Sequence, residues 1–277
     1  MRHKKLTTFC IASAFILAAC GQSEPEATAT AEPEVAAAAE ETAAPEAAAA
    51  MMDMDLGAAL AAAARSEEDM ARDAGRKPAE VVGFLGVASG MDVVDLMAAG
   101  GWYSEVLSIA VGEEGSVSAQ NPPFMLSFRD GAYGIALTER IGDRLTNVTR
   151  VDSTWAELGA SGAQYDVAMS ALNLHDAYYL QSPEAAAEMM ASVYTVLKPG
   201  GVFGVIDHVG NADGDNGSLH RISKALAVEL ATAAGFTVEG ESDVLGNSED
   251  DHMQGVFSEG IRGKTDRFLL KLRKPAE

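Results

Sequence analysis

Cysteine is nearly absent from this chain. Its 277 residues include Cys10 and Cys20, both close to the N-terminus, and no other cysteine. The remainder of the sequence therefore has no disulfide and no cysteine ligand for a metal ion. Stability must come from a hydrophobic core, for which the roughly 220 residues that follow the N-terminal segments are sufficient.

Positive charge is also scarce. The chain carries 20 Lys and Arg residues against 41 Asp and Glu residues, which gives a formal net charge of −21 at pH 7. Binding to a nucleic-acid backbone needs clustered basic side chains that replace counterions. The composition therefore argues against a nucleic-acid partner, and we interpret the acidity as a feature that keeps the protein soluble.

A long apolar run at the N-terminus is missing as well. The apolar stretch from Leu6 to Ala19 is too short to cross a bilayer, which takes about 20 apolar residues. It follows the basic segment Arg2–Lys5 and stops at Cys20, an arrangement typical of an export signal. We therefore expect the protein to work outside the cytoplasm.

The Leu-Ala-Ala-Cys sequence that ends at Cys20 resembles the lipobox of bacterial lipoproteins. The resemblance implies that residues 1–19 are a signal peptide and that Cys20 is lipidated. Gly21 after the cysteine implies sorting to the outer membrane. We therefore expect a periplasmic protein that a lipid alone anchors to a membrane, with an ordinary signal peptide or a short N-terminal membrane helix as the alternatives.

A low-complexity segment follows the predicted lipidation site. Residues 21–50 are almost wholly Ala, Glu, Pro and Thr, without Lys or Arg. Such a composition cannot bury enough apolar surface to offset the entropy lost on ordering. We therefore predict a disordered tether over residues 20–55 and a single folded domain over residues 56–277.

The predicted domain alternates short apolar strands with amphipathic helices, which is typical of a mostly parallel sheet with helices on both faces. Helices are expected to begin near Leu56, Ser66 and Pro78. The predicted strands are Asp92–Met97, Ser116–Gln120, Val148–Val151, Tyr165–Leu172, Val202–Asp207, Phe236–Glu241 and Arg267–Leu272, and the clearest helices are Trp102–Val111, Pro183–Leu197 and Leu219–Ala234.

Three segments carry a family resemblance. A glycine pair, Gly100-Gly101, follows the first strand, Leu197–Gly201 reads Leu-Lys-Pro-Gly-Gly before the fifth, and Ala234–Phe236 opens the last pair of strands. Together they resemble the class I S-adenosylmethionine-dependent methyltransferases. This resemblance implies an α/β fold with a doubly wound, seven-stranded, mostly parallel sheet that is Rossmann-like and has an antiparallel C-terminal strand.

Shorter motifs resemble a narrower group of bacterial predicted methyltransferases, some of them exported. The motifs are Gly75–Pro78, Gly100–Glu105, Ala119–Pro122, Asn173–Asp176, Asp207-His208 and Leu219–Ile222. This resemblance covers residues 66–274. It implies that the domain binds S-adenosylmethionine as its cofactor.

The resemblance places the cofactor beyond the carboxyl ends of the first strands. The residues it implies are Asp95, Ala99, Gly100, Gly101, Gln120, Asp152 and Asn173. Met97 and Ala99 replace glycines of the superfamily turn, and Gln120 replaces an acid that bridges the ribose hydroxyls. Because a β-carbon disfavours positive φ, we expect Met97 not to adopt it. Capping of backbone N–H groups is the alternative role of Asp95 and Asp152.

Histidines follow the fourth and fifth strands, where the superfamily presents residues to the methyl acceptor. We assign His175, Asp176 and His208 as catalytic, with an imidazole that takes a proton from the acceptor. His220 could join them at the same rim. The alternatives are a metal site that combines the histidines with Asp207 or Asp176 and purely structural hydrogen bonding; we assign no metal.

The sequence as a whole predicts a lipid-anchored, exported methyltransferase-like protein. It would transfer a methyl group from S-adenosylmethionine to a small-molecule or envelope acceptor, mainly by aligning donor and acceptor. The alternative is a non-catalytic lipoprotein of the envelope that holds another ligand or a metal on the same scaffold, because the glycine turn is depleted and the ribose acid is missing.

Overall fold

The computed structural model describes residues 55–276. The predicted signal peptide, Cys20 and all of the tether except Asp55 lie outside the described residues. Within the described part of the chain, no helix has both the length and the apolar character needed to cross a membrane.

A seven-stranded sheet runs through residues 55–276, with the strand order β3-β2-β1-β4-β5-β7-β6. The strands are β1 (Asp92–Leu96), β2 (Ser116–Asn121), β3 (Val148–Asp152), β4 (Tyr165–Ala171), β5 (Leu197–His208), β6 (Thr237–Ser242) and β7 (Arg267–Arg273). Neighbouring strands are parallel from β3 to β5, whereas β7 is antiparallel to both β5 and β6. The predicted fold class is confirmed, and β5 starts at Leu197 rather than Val202.

Helices cover both faces of this sheet. They are α1 (Leu56–Ala62), α2 (Glu67–Ala71), α3 (Asp73–Arg76), α4 (Pro78–Leu85), α5 (Trp102–Val111), α6 (Pro123–Ser127), α7 (Ala132–Ile141), α8 (Trp155–Ala160), α9 (Pro183–Val196), α10 (Asn216–Leu219) and α11 (Lys224–Ala233). Side chains of β1 alternate between the faces, so that Val93 packs in one core and Val94 in the other. Helices α1, α4, α5 and α7 cover the Val93 face, and α8, α9 and α11 cover the Val94 face.

The prediction of one continuous helix over Leu219–Ala234 is wrong. Helix α10 ends before His220, which adopts a φ of +54°, and α11 begins at Lys224. Ser223 accounts for the new start, because its hydroxyl accepts an N–H from the first turn of α11. The break places His220 in a connection between helices rather than on a helix face.

Candidate functional site

The turn after β1 is held by two amide side chains from the end of β2. Asn121 accepts the N–H of Ala99 (2.8 Å) and donates to its carbonyl (3.1 Å). Gln120 accepts the N–H of Met97 (3.3 Å) and donates to the carbonyl of Ser153 (2.7 Å). Both amide side chains are fully buried. In each side chain, both the amide oxygen and the NH₂ group therefore bond within the protein, at the point where the resemblance places a ribose.

These amides hold a strained backbone. Met97 and Ala99 have φ values of +52° and +51°, so the expectation that Met97 avoids positive φ is wrong. A left-handed conformation costs a residue with a β-carbon roughly 1–2 kcal/mol. Such strain persists where the surroundings enforce it, and the hydrogen bonds from Gln120 and Asn121 do so here.

Helix α7 packs directly on the glycine pair. A β-carbon built on Gly101, whose φ is +77°, would lie 2.6 Å from Cδ1 of Leu137. One on Gly100 would lie 3.3 Å from Cβ of Ala136, a tight but less severe contact. Arg140 donates from Nε to the Gly100 carbonyl at 2.6 Å. Glycine is therefore required at position 101 by helix packing, whatever else the turn does.

Asp95 lies at the end of β1 and is 2% exposed. Its carboxylate accepts a 2.6 Å hydrogen bond from the hydroxyl of Ser104, in the first turn of α5. Burial raises the pKa of Asp95 to about 7, although Ser104 and Arg76 favour the ionised form. The group thus lies close to the turn after β1 and changes its charge near neutral pH.

Asp152, at the end of β3, pairs with Arg150 at 2.7 Å and remains partly exposed. It does not cap the helix that follows. Thr154 does, because its hydroxyl accepts the N–H of Glu157 while the Glu157 carboxylate accepts the N–H of Thr154. The capping alternative for Asp152 is therefore wrong, and the Thr-x-x-Glu pattern could have identified the true cap.

Asn173 connects the β1 turn to the residues beyond β4. Its amide donates to the carbonyl of Met97 at 3.2 Å and to that of Ala171 at 2.9 Å. The contact joins the ends of two neighbouring parallel strands. Through Asn173, the predicted cofactor turn and the predicted acceptor side form one connected surface.

A group of ionisable side chains, here called the polar cluster, lies at the carboxyl ends of β4 and β5. Its members are His175, Asp176, Asp207, His208 and His220. The ring centres of His175 and His208 are 5.8 Å apart, and those of His175 and His220 are 5.5 Å apart. The carboxyl ends of adjacent parallel strands bring such residues to one edge of the sheet.

Asp207 is the buried centre of the polar cluster. Its carboxylate accepts the backbone N–H groups of His175 (2.9 Å) and His208 (2.7 Å), and one oxygen lies 2.7 Å from Nδ1 of His175. Burial opposes a charge on His175, but Asp207 and then Asp176 outweigh it and raise the pKa of His175 to about 10. His175 is therefore positively charged at neutral pH and unsuited to accept a proton there.

His208 has the opposite character. Its Nδ1 lies 2.7 Å from the hydroxyl of Thr265. Burial lowers the pKa of His208 well below its usual value, and the charges of His175 and Arg267 lower it further. His208 is therefore neutral at neutral pH, which is the state of a general base.

Asp176 and His220 complete the polar cluster. One carboxylate oxygen of Asp176 lies 3.1 Å from Nε2 of His175 and 3.2 Å from Nδ1 of His220. The Nε2 of His175 is buried and, despite that short distance, makes no hydrogen bond of acceptable geometry. Asp176 also opens a π-helical turn, Asp176–Gln181, a form that is frequent at functional sites. Sequence reasoning identified His220 only as an additional candidate, because its position depends on the unpredicted break after α10.

Two surface cavities are lined by residues outside the β1 turn and the polar cluster. One, of about 480 Å³, is lined by α7 and Arg150, and the other, of about 440 Å³, lies between α11 and the β6–β7 region. Neither is lined by a member of the polar cluster or by residues 95–101. We therefore define the candidate site by the chemistry of the strand ends rather than by cavity size.

No protein-family model matches the sequence, and no curated protein matches it. Solved structures do match the fold. The chain is similar to the [4+2]-cyclase SpnF, with 19% identity over 74% of this chain and 82% of the cyclase and a TM-score of 0.53. It is also similar to a candidate sarcosine dimethylglycine methyltransferase from Galdieria sulphuraria, with 18% identity over 73% of this chain and 86% of that one and a TM-score of 0.52.

A third match is a candidate methyltransferase from Bacillus halodurans, with 16% identity over 72% of this chain and 99% of that one and a TM-score of 0.51. At these identities the shared feature is the fold. The sheet of this chain is thus the Rossmann-like sheet found in S-adenosylmethionine-dependent methyltransferases. Because one of the three similar proteins is named as a cyclase, the fold alone does not assign the reaction.

Proposed function

We propose that this chain is an exported, lipid-anchored methyltransferase that uses S-adenosylmethionine and a small-molecule or envelope acceptor. The observation that carries the proposal is the connection between the β1 turn and the polar cluster through Asn173. Donor and acceptor would then meet across neighbouring strand ends, and alignment of two reactants is the main source of catalysis expected for such a transfer. The names of two structurally similar proteins support the same reaction class.

Asp95 and the backbone around Gly100 are the groups we assign to the cofactor. When bound, S-adenosylmethionine supplies an electrophilic methyl group on its sulfonium. An ionised Asp95 would attract the positively charged amino group of the cofactor, and Gly100 lacks the β-carbon that would limit a close approach. The buried amides of Gln120 and Asn121 would act indirectly, by fixing the backbone of the turn.

The polar cluster would act on the acceptor. His208 would accept the acceptor's proton at Nε2 in the neutral tautomer whose Nδ1–H donates to the hydroxyl of Thr265. The carboxylate of Asp207 would hold the backbone N–H of His208 and the ring nitrogen Nδ1 of His175. We therefore assign proton acceptance to His208, and charge stabilisation and positioning to His175 and Asp176.

Calorimetric titration of the purified chain with S-adenosylmethionine tests the cofactor assignment. Gly100→Ala should weaken binding by about tenfold or more while the fold is kept, since the added β-carbon meets Ala136 at 3.3 Å and no positive φ is required. Gly83→Ala is the matched control, because a β-carbon there meets nothing within 4 Å. An unmeasurable affinity in the wild type, or equal affinity in the two variants, would reject the site.

A second function is favoured by the β2 amides. Gln120 and Asn121 spend their polar groups inside the protein, and no carboxylate stands at the expected ribose position. These features suit a non-catalytic envelope lipoprotein that binds another ligand or a metal on the same scaffold. A wild-type chain that fails to bind S-adenosylmethionine but binds a metal ion would favour this function.

The lipid anchor and the periplasmic location, with the outer membrane as the site of anchoring, are part of the proposal and rest on the Leu-Ala-Ala-Cys sequence at Cys20. Mass spectrometry of the mature N-terminus should find an acylated cysteine at position 20. Cys20→Ser should remove the acyl chain and block processing. An unlipidated wild-type chain that starts at another residue would disprove the anchor.

A further inference from the structure

Three side chains of the polar cluster bring metal-binding atoms together. One donor atom each from His175, Asp176 and His220 lies within 4.8 Å of the other two. The Asp176 oxygen is 3.1 Å from one histidine nitrogen and 3.2 Å from the other. Ligands in adjacent positions around an ion with bonds of about 2.1 Å lie about 3 Å apart. Small side-chain movements would therefore give bonding distances.

The Nε2 of His175 gives a second, independent indication. The His175 side chain is 5% exposed, and this nitrogen has no hydrogen-bond partner among the described residues. A buried polar atom without a partner is costly, and such atoms in folded proteins call for a ligand, ion or water. The nitrogen faces the same space as the Asp176 oxygen and the His220 ring, so one ion there would satisfy all three groups.

Asp207 supplies the outer support that metal-binding histidines usually have. A ligating histidine commonly donates its second ring N–H to a carboxylate, which fixes the ring orientation and increases its basicity. Nδ1 of His175 lies 2.7 Å from the buried carboxylate of Asp207, and the backbone N–H of His175 donates to the same group. With Nδ1 facing Asp207, Nε2 is the ring atom left for an ion, which would displace the proton that Nε2 carries at neutral pH. The two carboxylates also make the surroundings of Nε2 favourable to a cation.

His220 is held in place from the next residue along the chain. Arg221 is fully buried and forms a bidentate pair with Asp250 at 2.9 Å through each nitrogen. Arg221 also donates to the carbonyl of Val209, next to the end of β5. A ligand on a connection between helices needs such support to be preorganised. The pair therefore fixes the backbone that presents the His220 ring.

We propose that His175, Asp176 and His220 bind a divalent transition-metal ion of the zinc or iron(II) type. Two imidazole nitrogens and one carboxylate oxygen suit these ions, whereas magnesium and calcium prefer oxygen ligands alone. Three protein ligands leave further coordination positions open for an exogenous group. Ion binding does not depend on the proposed methyl transfer. A second role, in which the ion holds the acceptor's oxygen or nitrogen, does rest on that function.

The experiment is a calorimetric titration of the purified, EDTA-stripped full chain with zinc chloride in the absence of S-adenosylmethionine. The wild type should bind one equivalent, and His220→Asn should bind at least about 100-fold more weakly because it loses one of three ligands. Asparagine tolerates the positive φ of His220, so the backbone should remain. Asp176→Asn should weaken zinc binding by at least about tenfold, and circular dichroism checks that each variant is folded.

His252→Asn is the matched control. His252 also has a positive φ (+61°) and also pairs with a carboxylate, at 2.9 Å from Asp266, but among the described residues it belongs to no group of three side chains placed to hold a metal ion. Its variant should keep wild-type zinc affinity within about threefold. The proposal is overturned if the wild type binds no zinc, or if His220→Asn and His252→Asn behave alike. Because no methyl donor is present, failure of the methyltransferase proposal would leave this result unaffected.

Discussion

The β1 turn and the polar cluster lie at the same end of the sheet and use their polar groups in opposite ways. In the turn, the Gln120 and Asn121 amides satisfy the backbone of Met97 and Ala99, and α7 packs onto the glycine pair. In the polar cluster, a buried histidine nitrogen is left without a hydrogen bond. The turn is thus internally satisfied, while the polar cluster has capacity to bind something. The polar cluster is therefore the half of the candidate site that has an unused ligand atom.

The largest effect should come from Asp95, whose carboxylate is buried beside the turn even though Ser104 donates a hydrogen bond to it. Its pKa is raised from 3.8 to about 7, so the folded state keeps a proton that the unfolded state releases between those pH values. Stability should therefore fall as pH rises from about 4 to 7 and then level off. Three pKa units correspond to at most roughly 4 kcal/mol. Asp95→Asn should remove this slope, as urea unfolding at pH 4, 6 and 8 would measure.

If the stability of the wild type and that of Asp95→Asn depended on pH in the same way, burial would not raise the pKa of Asp95. The same titration sharpens the cofactor assignment. An amino group that pairs with Asp95 requires the ionised carboxylate, so S-adenosylmethionine should bind more tightly at pH 8 than at pH 6.

The second effect concerns the centre of the polar cluster. Asp207→Asn replaces an acceptor oxygen with an NH₂ group among three donors from His175 and His208. Removal of the negative partner from a buried pair typically costs 3–5 kcal/mol, and we expect about 3 kcal/mol here because one oxygen remains. Chemical denaturation at neutral pH would measure the loss. A change below about 1 kcal/mol would mean that Asp207 does not organise the polar cluster.

The third prediction concerns the stability of the fold when a β-carbon is added to the glycine pair, and it tests the packing role of Gly101 apart from ligand binding. Gly101→Ala should destabilise the fold by about 2 kcal/mol, since it adds both left-handed strain and a contact with Leu137 at 2.6 Å. Gly100→Ala should cost less, because its β-carbon stands farther from α7. Equal unfolding midpoints for Gly101→Ala and the wild type would contradict the packing role of this glycine.

The smallest effect tests the strain itself. Ala99→Gly should stabilise the protein by about 0.5–1 kcal/mol, because the release of left-handed strain exceeds the added entropy of the unfolded chain. Ala98→Gly is the control next to it, since Ala98 does not have a positive φ, and it should destabilise instead. Thermal melts of the two variants should shift in opposite directions; shifts in the same direction would mean that the Asn121 bonds cancel the strain.

The sheet was predictable from sequence because each strand is a short apolar run bounded by turn residues. The first strand, predicted over Asp92–Met97, is observed over Asp92–Leu96. The conformation of Met97 was not predictable, since it depends on the Gln120 amide, which is 23 residues away in the chain. The break at His220 was not predicted, because the surrounding pattern is helical and the capping role of Ser223, which starts a new helix, was not recognised. His175 and His208 could be located by strand end, but their opposite protonation follows from the Asp207 contacts, which need the folded structure.

Asn173 joins the two halves of the candidate site structurally, and such a contact would be a route for coupling between ligands bound on either side. It touches the carbonyl of Met97 in the turn and lies two residues before His175 in the polar cluster. Suppose that a ligand bound at the turn changes the affinity of the polar cluster for a metal ion by some factor. The metal ion must then change the affinity of the turn for that ligand by the same factor. The amide of Asn173 is thus the place to look for cooperativity between the turn and the polar cluster, and its removal should bring that factor towards one.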